Sequence, residues 1–354
     1  MSDFLIAVDG GNVKTDLALV GSTGELLALV RGGRSSPHYE GVDGCVGLIG
    51  SLLAQAAASA RVALPAADAE LMIAGVDLPE ELDALERAVR AQAWAGSMQV
   101  ANDTQALLRS GTDRGWGVAV VCGGGINCVG RTPDGRELRF PALGAISGDW
   151  GGGVDIGLAA LRAAARSADG RGPATVLESE VPAYFGLARP FEVARALHLR
   201  ELAFERLAEL TRVVFPAAAS DAVAAAIVER QADEVVAMAS VALTRLELTG
   251  TDADVVLGGG VLRAAPPGVV ERIAAAVRAH APAAVVRLAA SAPIVGAALL
   301  GLDALGAAPA AAARVRAELG EAFARLEGDG ARVAAGGPRA PAADGDGLLR
   351  SARG

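Results

Sequence analysis

Seven residues near the start of the chain, Asp-Gly-Gly-Asn-Val-Lys-Thr at 9–15, have the types and spacing of an anion-binding turn. Gly10 and Gly11 allow a positive φ and let backbone N–H groups approach an anion without a Cβ in the way. Lys14 adds a cation and Thr15 adds a hydroxyl. The chemistry that this set predicts is the binding of phosphate groups. The plainer alternative is a tight hairpin that carries a solvated lysine.

Asp9, directly before this turn, is an unexpected neighbour for an anion site because a carboxylate repels phosphate. A divalent cation between the two would remove the repulsion, as magnesium does in nucleotide enzymes. The flanking apolar runs, 4–8 and 16–20, have the length of strands, so we expect an antiparallel pair with the turn between them. The hairpin therefore predicts a site for magnesium together with phosphate.

Two further acids stand where a strand or a loop meets a helix. Asp103 lies between a predicted strand at 97–101 and a short predicted helix at 105–109, and open α/β sheets present their functional groups at such junctions. The commoner use of an aspartate there is a helix N-cap, which gives Asp103 a purely structural alternative. Asp149 lies beside Trp150 in a glycine-dense loop at 144–153, and its alternative role is to stabilise that loop.

The opening pattern returns after residue 115. An apolar strand is followed by three glycines at 123–125, then by a strand, a glycine-containing hairpin and a Glu-Leu ending, as in the first copy. This looks like an internal duplication of a βββα unit. It implies two similar domains that face one cleft, with a phosphate chain held from both sides. A third glycine turn, at 258–260, ends a buried strand and precedes a helix.

Composition narrows the class of protein. The 354 residues suit two domains better than one, and apolar residues make up 52% with only 3% aromatic, so Ala, Val and Leu must form the cores. A net charge of −9 without a run of Lys or Arg argues against nucleic-acid binding. The N-terminal segment has no basic region and no long apolar run, so we expect no signal peptide, no membrane span and a cytoplasmic location. Cys45, Cys122 and Cys128 form no Cys-x-x-Cys pair, which favours free thiols over disulfides or zinc.

The predicted elements give an α/β protein with two domains. We expect an N-terminal domain over 1–112 and a C-terminal domain over 113–305, with a mainly helical insertion at about 170–250. For the last predicted helix, 293–305, one alternative is that it returns to the N-terminal domain and packs there.

The remaining residues, 306–354, form a tail rich in Ala, Gly and Pro. One solvated helix is predicted there, at 312–326. Disorder is predicted from residue 328 because few large apolar groups are present to offset the entropy of ordering.

Taken together, the motifs resemble those of a known superfamily. The chain has neither Gly-x-x-x-x-Gly-Lys-Ser/Thr nor Gly-x-Gly-x-x-Gly, which excludes a Walker-type loop and disfavours a dinucleotide site. Five segments of the chain together resemble the phosphate, connecting and adenosine motifs of the acetate kinase, hexokinase and actin superfamily. In chain order they are Asp9-Gly10-Gly11 with Lys14-Thr15, Asn102-Asp103, 123–127, Gly148-Asp149 and 258–260. Within the superfamily, the chain is most similar to the N-acetylglucosamine kinase branch of the BadF/BadG/BcrA/BcrD ATPase group. The resemblance covers about 4–305.

This resemblance implies a fold of two duplicated ribonuclease H-like (actin-like ATPase) domains around a central nucleotide cleft. It implies ATP-dependent phosphorylation of a sugar hydroxyl, with N-acetylglucosamine or a related amino sugar as the expected acceptor. ATP and Mg²⁺ are the expected cofactors. We also expect a homodimer without nucleic-acid or membrane partners.

The resemblance also assigns roles to individual residues. Asp103 is the expected catalytic base, and Asp9 is expected to position magnesium through water. The expected ATP-binding residues are Gly10, Gly11, Asn12, Lys14, Thr15, Gly123, Gly124, Gly125, Gly258, Gly259 and Gly260. The expected substrate-binding residues are Ser36, His38, Asn102, Asn127, Gly148 and Asp149.

Three departures from the family's pattern leave other functions open. The second turn reads Gly-Gly-Gly-Ile at 123–126 where the family usually has Gly-Thr-Gly-Ser, and the missing hydroxyl motivates an alternative, a sugar- or nucleotide-sensing protein without turnover. The sugar-contacting loop has Ser-Ser-Pro-His at 35–38 where the family normally carries an asparagine. The loop at 148–153 lacks the cysteines that hold an iron–sulfur cluster in activating ATPases of the same group. This last departure disfavours a third function, an ATPase that drives a partner's conformational change.

Overall fold

The computed structural model of the chain describes residues 3–336, with side chains described up to residue 327. Two five-stranded sheets form the centre of the molecule. Helices pack on the sheets and bury cores that consist mostly of Ala, Val, Leu and Ile side chains. This layering is how a sheet with two apolar faces is shielded from water.

The first sheet is built from five strands near the N-terminus. They are β1 Phe4–Gly10, β2 Thr15–Gly21, β3 Leu26–Gly32, β4 Ala66–Ile73 and β5 Ala95–Ala101. Their order in the sheet is β3-β2-β1-β4-β5. β1 and β2 are antiparallel, with Gly10 opposite Thr15, and β4 and β5 run parallel to β1. The antiparallel hairpin predicted from the two apolar runs is confirmed.

The second sheet repeats the first. Its strands are β6 Gly117–Cys122, β7 Ile126–Arg131, β8 Glu137–Arg139, β9 Asp254–Gly258 and β10 Val285–Leu288. The order β8-β7-β6-β9-β10 matches the first sheet strand for strand, with an antiparallel meander followed by two parallel strands. The internal duplication predicted from the glycine turns is therefore present in the topology.

Twelve α-helices connect and cover the strands within residues 3–336. They are α1 Pro37–Ala60, α2 Pro79–Arg90, α3 Asp103–Gly111, α4 Gly153–Ala168, α5 Leu177–Tyr184, α6 Pro190–His198, α7 Thr211–Ala217, α8 Ala222–Arg245, α9 Gly260–Ala264, α10 Pro267–His280, α11 Pro293–Ala304 and α12 Pro309–Gly336. Helices α4 to α8 lie between β8 and β9 in the chain. They share one core with the second sheet, in which Ile156, Leu207 and Leu243 are fully buried.

Helices α3 and α11 join the two sheets. α11 follows the second sheet in the chain, but its apolar side chains share a core with β1. It crosses α3 so closely that a Cβ on Gly296 would lie 1.8 Å from the carbonyl oxygen of Ala106. Arg109 of α3 donates to both carboxylate oxygens of Asp303 of α11, at 2.6 and 3.1 Å. Leu107 of α3 packs in a core with the second sheet. The domain boundary between residues 112 and 113 stays a prediction.

Helix α12 corrects the prediction of a solvated helix at 312–326. It starts at Pro309, and Ala311, Val315 and Leu319 are buried in the core that contains α11 and β1. These side chains recur every four residues, so they lie along one stripe of the helix. The helix continues to Gly336, beyond the predicted start of disorder at 328. Residues 337–354, which complete the predicted tail, lie outside the described residues.

Helix α1 is the one single helix within residues 3–336 that is long and apolar enough, by length and composition, to cross a membrane. Gly41 interrupts its helical geometry. Cys45, Ile49 and Leu53 on one face are buried in the core of the first sheet. The apolar character of this face is therefore explained by packing.

Two acids, Asp68 and Glu70, are buried on β4 with relative exposures of 1% and 2%. One oxygen of each carboxyl group, Oδ2 and Oε2, has no hydrogen-bond partner among the described residues. Burial is the largest cause that raises the pKa of Glu70 to about 8, and the charges of Asp68 and Asp303 add to it. A carboxylate in this position weakens the fold at neutral pH, because desolvation penalises its charged form.

We expect Glu70→Gln to stabilise the protein in a pH-dependent way. The pKa of Glu70 is higher in the folded than in the unfolded chain, so the folded state holds the proton between about pH 4.5 and about pH 8, and stability falls as pH rises through that window. Glutamine does not titrate. The melting temperature of Glu70→Gln should therefore be similar to the parent's at pH 5 and clearly higher at pH 8, as measured by calorimetry.

Glu229→Gln, on the exposed surface of α8, is the matched control and should shift neither curve. Parallel pH profiles for the parent and Glu70→Gln would contradict the prediction.

Candidate active site

A cleft lies between the two sheets at the C-terminal ends of the first sheet's parallel strands. β1, β4 and β5 end at one edge, and the side chains that follow them face the turn between β6 and β7. The first sheet supplies Asn12, Gly75, Asp77, Asn102 and Asp103, and the second supplies the residues from Gly123 to Asn127. Of the residues predicted for the site, the fold thus brings seven together here: Asn12, Asn102, Asp103, Asn127 and the three glycines at 123–125.

Three side chains form a polar cluster in this cleft, and they come from both sheets. Asn102 Nδ2 donates to Asp77 Oδ1 at 2.9 Å. Asn127 Nδ2, from β7, donates to the same oxygen at 3.4 Å and to Asn102 Oδ1 at 3.3 Å. The side chain of Asp77 is 7% exposed, and a buried carboxylate is stable only with such donors. The cluster therefore ties the second sheet to the first.

Asn102, rather than Asp103, is the N-cap of α3. Its Oδ1 accepts from the backbone N–H of Thr104 at 3.1 Å and from the Thr104 hydroxyl at 2.7 Å. Asp103 is the first residue of the helix and lines the cleft. The capping alternative for Asp103 is therefore wrong, because the preceding asparagine already performs that task.

The charge state of Asp103 is set by its surroundings. Burial, followed by the charge of Asp77, raises the pKa of the Asp103 carboxyl to about 6, and the backbone N–H of Thr104 opposes this shift. Burial is also the main cause that raises the pKa of Asp77. Two carboxylates in one partly desolvated cleft therefore hold protons at a higher pH than free aspartates do.

Asp9 is the penultimate residue of β1 and is close enough to Asp103 for their charges to interact. Burial, followed by the charges of Asp103 and Asp16, raises its pKa to about 8, while Lys14 and Arg263 act in the opposite direction. Among the described residues, no group of three His, Cys, Asp or Glu side chains is arranged to hold a metal ion. A metal at Asp9 would therefore need further ligands from water or substrate, which is the usual state of magnesium.

The first turn is closed by a bond from the Gly11 N–H to the Lys14 carbonyl at 2.9 Å. Asn12 faces the cleft. Thr15 is fully buried, and its hydroxyl donates to Ser35 Oγ at 2.8 Å, so the structure does not bring this predicted ATP ligand to the cleft. The ammonium of Lys14 does not face the cleft either: it lies 2.5 Å from a carboxylate oxygen of Glu327 in α12.

The second turn lies against the start of α4. The N–H groups of Gly153 and Val154 donate to the carbonyls of Gly123 and Gly124 at 2.8 and 3.0 Å. A Cβ added at Gly123, Gly124 or Gly125 would meet no protein atom within 4 Å. The packing of the chain therefore does not explain why this turn is made of glycine.

The third turn is different, since its glycines are needed by the fold. Gly259 has φ +92°, and a Cβ there would lie 2.1 Å from the carbonyl oxygen of Cys122 at the end of β6. A Cβ on Gly258 would clash with Leu107 of α3. Gly260 has open space around it. This turn is thus placed directly beside the second turn, but it does not line the cleft described above.

A second cavity opens beside the cleft and shares Asn12 and Gly75 with it. His38 lines it from α1, and Ile146 lines it from the loop after β8. Ser36, also predicted to contact substrate, is fully buried, and its Oγ has no hydrogen-bond partner among the described residues.

Asp149 and Gly148 belong to the loop after β8 and line neither cavity. Asp149 Oδ2 accepts from the Gly144 N–H at 3.0 Å and from Ser147 Oγ at 2.6 Å. The structure therefore gives Asp149 the loop-stabilising contacts of its alternative role, and a role in substrate binding stays a prediction.

Sequence reasoning missed Asp77 and Arg139. Arg139 of β8 donates to the Val76 carbonyl at 2.7 Å and lies 4.0 Å from Asp77 Oδ1. Asp77 follows β4 as Asp103 follows β5, so the strand-to-helix rule that selected Asp103 also points to Asp77. Arg139 had no comparable signal, because its contact joins strands far apart in the chain.

With this geometry in place, residues 6–301 match the model of the BadF/BadG/BcrA/BcrD ATPase family. The chain belongs to this family. The predicted architecture, two duplicated actin-like ATPase domains around a central cleft, is likewise confirmed by solved structures.

Several proteins are similar to this family member. An N-acetylmuramic acid/N-acetylglucosamine kinase of Clostridium acetobutylicum is 29% identical over 212 residues, which is 60% of this chain and 69% of that protein. An N-acetyl-D-glucosamine kinase of Dictyostelium discoideum is 26% identical over 49% of this chain and 58% of its own length. The crystal structure of a candidate N-acetylglucosamine kinase from Chromobacterium violaceum has a TM-score of 0.62 and 25% identity, and the match covers 84% of this chain and 99% of that one.

The capping assignment predicts different effects of two neighbouring substitutions on stability. Asn102→Ala removes a helix cap, which costs about 1 kcal/mol, and also removes a donor to Asp77. Asp103→Asn removes a carboxyl group whose charged form is penalised at neutral pH, so the free energy of unfolding should stay the same or rise. Urea denaturation of both variants at pH 7 tests this, and an equal loss in Asp103→Asn would contradict the assignment.

Proposed function

We propose that the protein transfers a phosphoryl group from ATP to a hydroxyl of N-acetylglucosamine or a related amino sugar. The observation that carries this proposal is the Asp103 carboxylate, which lines the cleft opposite the second glycine turn while Asn102 caps the helix. A carboxylate without a capping task, and with a pKa of about 6, is suited to accept a proton near neutral pH. The family match and the kinase activities named for two relatives support the same reaction.

ATP phosphates fit the cleft between the first two turns. The glycines at 123–125 have no packing reason, and a close approach of phosphate to their backbone N–H groups would supply one. Gly10, Gly11 and Asn12 would contact the phosphates from the other side, and Lys14 would reach them after leaving Glu327. The turn at 258–260 adjoins the second turn and would lie beside the adenosine.

Asp9 is the residue that would hold magnesium. Its carboxylate is desolvated and next to two other acids, so a nearby divalent cation would stabilise its charged form. Bound Mg²⁺ would neutralise charge on the phosphates. Since Asp9 has no cluster of further protein ligands among the described residues, contact through water fits the donor set.

The reaction then follows from position and charge. The sugar hydroxyl oxygen forms a bond to the γ-phosphorus of ATP, the bond from that phosphorus to the bridging oxygen breaks, and Asp103 accepts the hydroxyl proton. In-line positioning supplies much of such catalysis. Burial, and after it the neighbouring charge of Asp77, keeps the pKa of Asp103 high enough for proton transfer.

The sugar would lie over the polar cluster formed by Asp77, Asn102 and Asn127. These side chains offer an acceptor and amide groups from both sheets. His38, whose Nε2 is 3.8 Å from Asp77 Oδ2, lines the adjoining cavity and would contact the same ligand. A sugar bound there would touch both sheets, so its binding would favour closure of the cleft and exclusion of water.

A sensing protein without turnover is the second candidate. It is favoured by the turn at 123–126, which has no hydroxyl side chain. ADP release measured over a panel of sugars separates the candidates. Release that depends on one sugar supports the kinase, binding without release supports the sensor, and sugar-independent release supports an ATPase that acts on a partner. The homodimer and the cytoplasmic location stay predictions.

Asp103→Asn should abolish most turnover while preserving the site. Asparagine keeps the shape and hydrogen-bonding capacity but is not basic, and general-base catalysis contributes about 10²–10⁴-fold. We expect kcat to fall at least about 10²-fold, with nearly unchanged affinity for MgADP. In the parent, kcat/KM should decline below about pH 6, since the base must be deprotonated. A variant with near-parent kcat would refute the role of Asp103.

Asp149→Asn should raise KM for the sugar more than KM for ATP. A charged acceptor that a bound sugar desolvates is worth about 1.5–3 kcal/mol, and a neutral amide replaces this only in part. Ser147→Ala is the control, because it removes one loop bond to Asp149 and keeps the carboxylate. If Ser147→Ala raises the sugar KM equally, or if both KM values of Asp149→Asn rise together, Asp149 only stabilises its loop.

A further inference from the structure

Helix α12 lies outside the segment that matches the family, which ends at residue 301. It is nevertheless docked by more than its apolar stripe. The Leu26 N–H donates to Glu318 at 2.9 Å, and Arg316 donates to the Ser110 carbonyl at the end of α3 at 2.7 Å. The helix is therefore a fixed part of the molecule that the family's common core does not include.

The far part of α12 reaches the first glycine hairpin. Glu327 Oε1 is 2.5 Å from Lys14 Nζ and 2.7 Å from Arg31 NH1, so one carboxylate bridges two cations. The ring of Phe323, one helical turn earlier, lies under the same two cations, with 4.8 Å from its centroid to Lys14 Nζ and 5.1 Å to Arg31 Cζ. Both contacts direct the lysine toward α12.

The surroundings of Lys14 explain why an acid is needed there. Arg31 is already paired with the buried Asp16, at 2.6 and 3.0 Å, and Lys14 is 3.7 Å from the same carboxylate. Two cations thus share one buried acid, and the hairpin retains positive charge that attracts a further anion. Glu327 is that anion in this structure. An ATP phosphate would be the competing one.

We propose that Glu327 is a positioning residue that competes with ATP phosphate for Lys14. The competition is intramolecular, and it makes α12 an inhibitory element of the nucleotide site. This inference rests on the proposed function, because it takes Lys14 as a phosphate ligand. Nucleotide binding then requires the exchange of one anion for another at the ammonium, while α12 stays docked through its apolar stripe.

The size of the effect follows from exposure. The side chains of Lys14 and Glu327 are 40% and 49% exposed, and ion pairs in such positions are weak. Removal of the Glu327 charge should therefore tighten nucleotide binding by about two- to five-fold, and salt should diminish the difference.

The test compares Glu327→Gln with Glu321→Gln. Glu321 is on the same helix and pairs only weakly with Arg325 one turn away, so it controls for the loss of one negative charge from α12. Titration calorimetry with MgADP should show a lower Kd for Glu327→Gln, and KM for ATP should fall with little change in kcat. Melting temperatures of both variants check that the helix remains docked.

A Lys14→Met background distinguishes the competition from a general effect of α12. In that background Glu327→Gln should no longer change the Kd for MgADP, because the residue through which it acts is gone. A Glu327→Gln protein that binds MgADP no tighter than Glu321→Gln, or more weakly than the parent, would overturn the inference and leave the proposed function intact. A parent that binds no nucleotide would overturn both.

Discussion

The carboxylate of Asp77 accepts hydrogen bonds from one amide on each sheet, and the geometry of the cleft depends on this shared acceptor. A buried carboxylate must be satisfied, and here the donors, Asn102 and Asn127, come from segments that meet only when the two sheets are correctly placed. Asn102 also caps α3, so the same network that aligns the sheets fixes the first turn of the helix and with it Asp103. The hydrogen bonds that satisfy Asp77, which takes no part in the proposed reaction, thus also position the proposed base.

The cleft combines charges that are unfavourable together. Asp9, Asp77 and Asp103 all have a raised pKa, chiefly because burial penalises their charged forms; the charge of Asp103 adds to the shift at Asp9, and the charge of Asp77 adds to the shift at Asp103. Such sites reduce the stability of the fold, and functional sites are where proteins tolerate that loss. On the proposed function, magnesium beside Asp9 and a sugar over Asp77 would each relieve part of the repulsion. Ligand binding would then be favoured by the strain of the free cleft as well as by new contacts.

Local signals made much of the fold predictable, and long-range contacts explain the rest. Glycine turns between apolar strands are short-range features, so the hairpin at 9–15, its repeat at 123–125 and the duplicated sheets could be anticipated. The choice between Asn102 and Asp103 as cap depends on a one-residue difference in where the helix begins, which propensity does not resolve. The docking of α12 was missed because a stripe with small residues such as Ala311 indicates burial only when the receiving surface is known. The pairing of Lys14 with Glu327 could not be anticipated, because the two residues lie more than three hundred positions apart in the chain. Lys14 was therefore predicted to contact phosphate.

The hairpin has a practical consequence for handling the protein. Lys14 is the only lysine in the sequence, all other basic side chains being arginine or histidine. Reagents that acylate or alkylate amines therefore find one side-chain target, and it lies in the turn that precedes the second strand. Amine-directed dyes or surface coupling would attach there or at the chain's N-terminal amine, so routine labelling chemistry would act on the first glycine hairpin. Cysteine is no easy substitute as a handle, since Cys45, Cys122 and Cys128 are all buried.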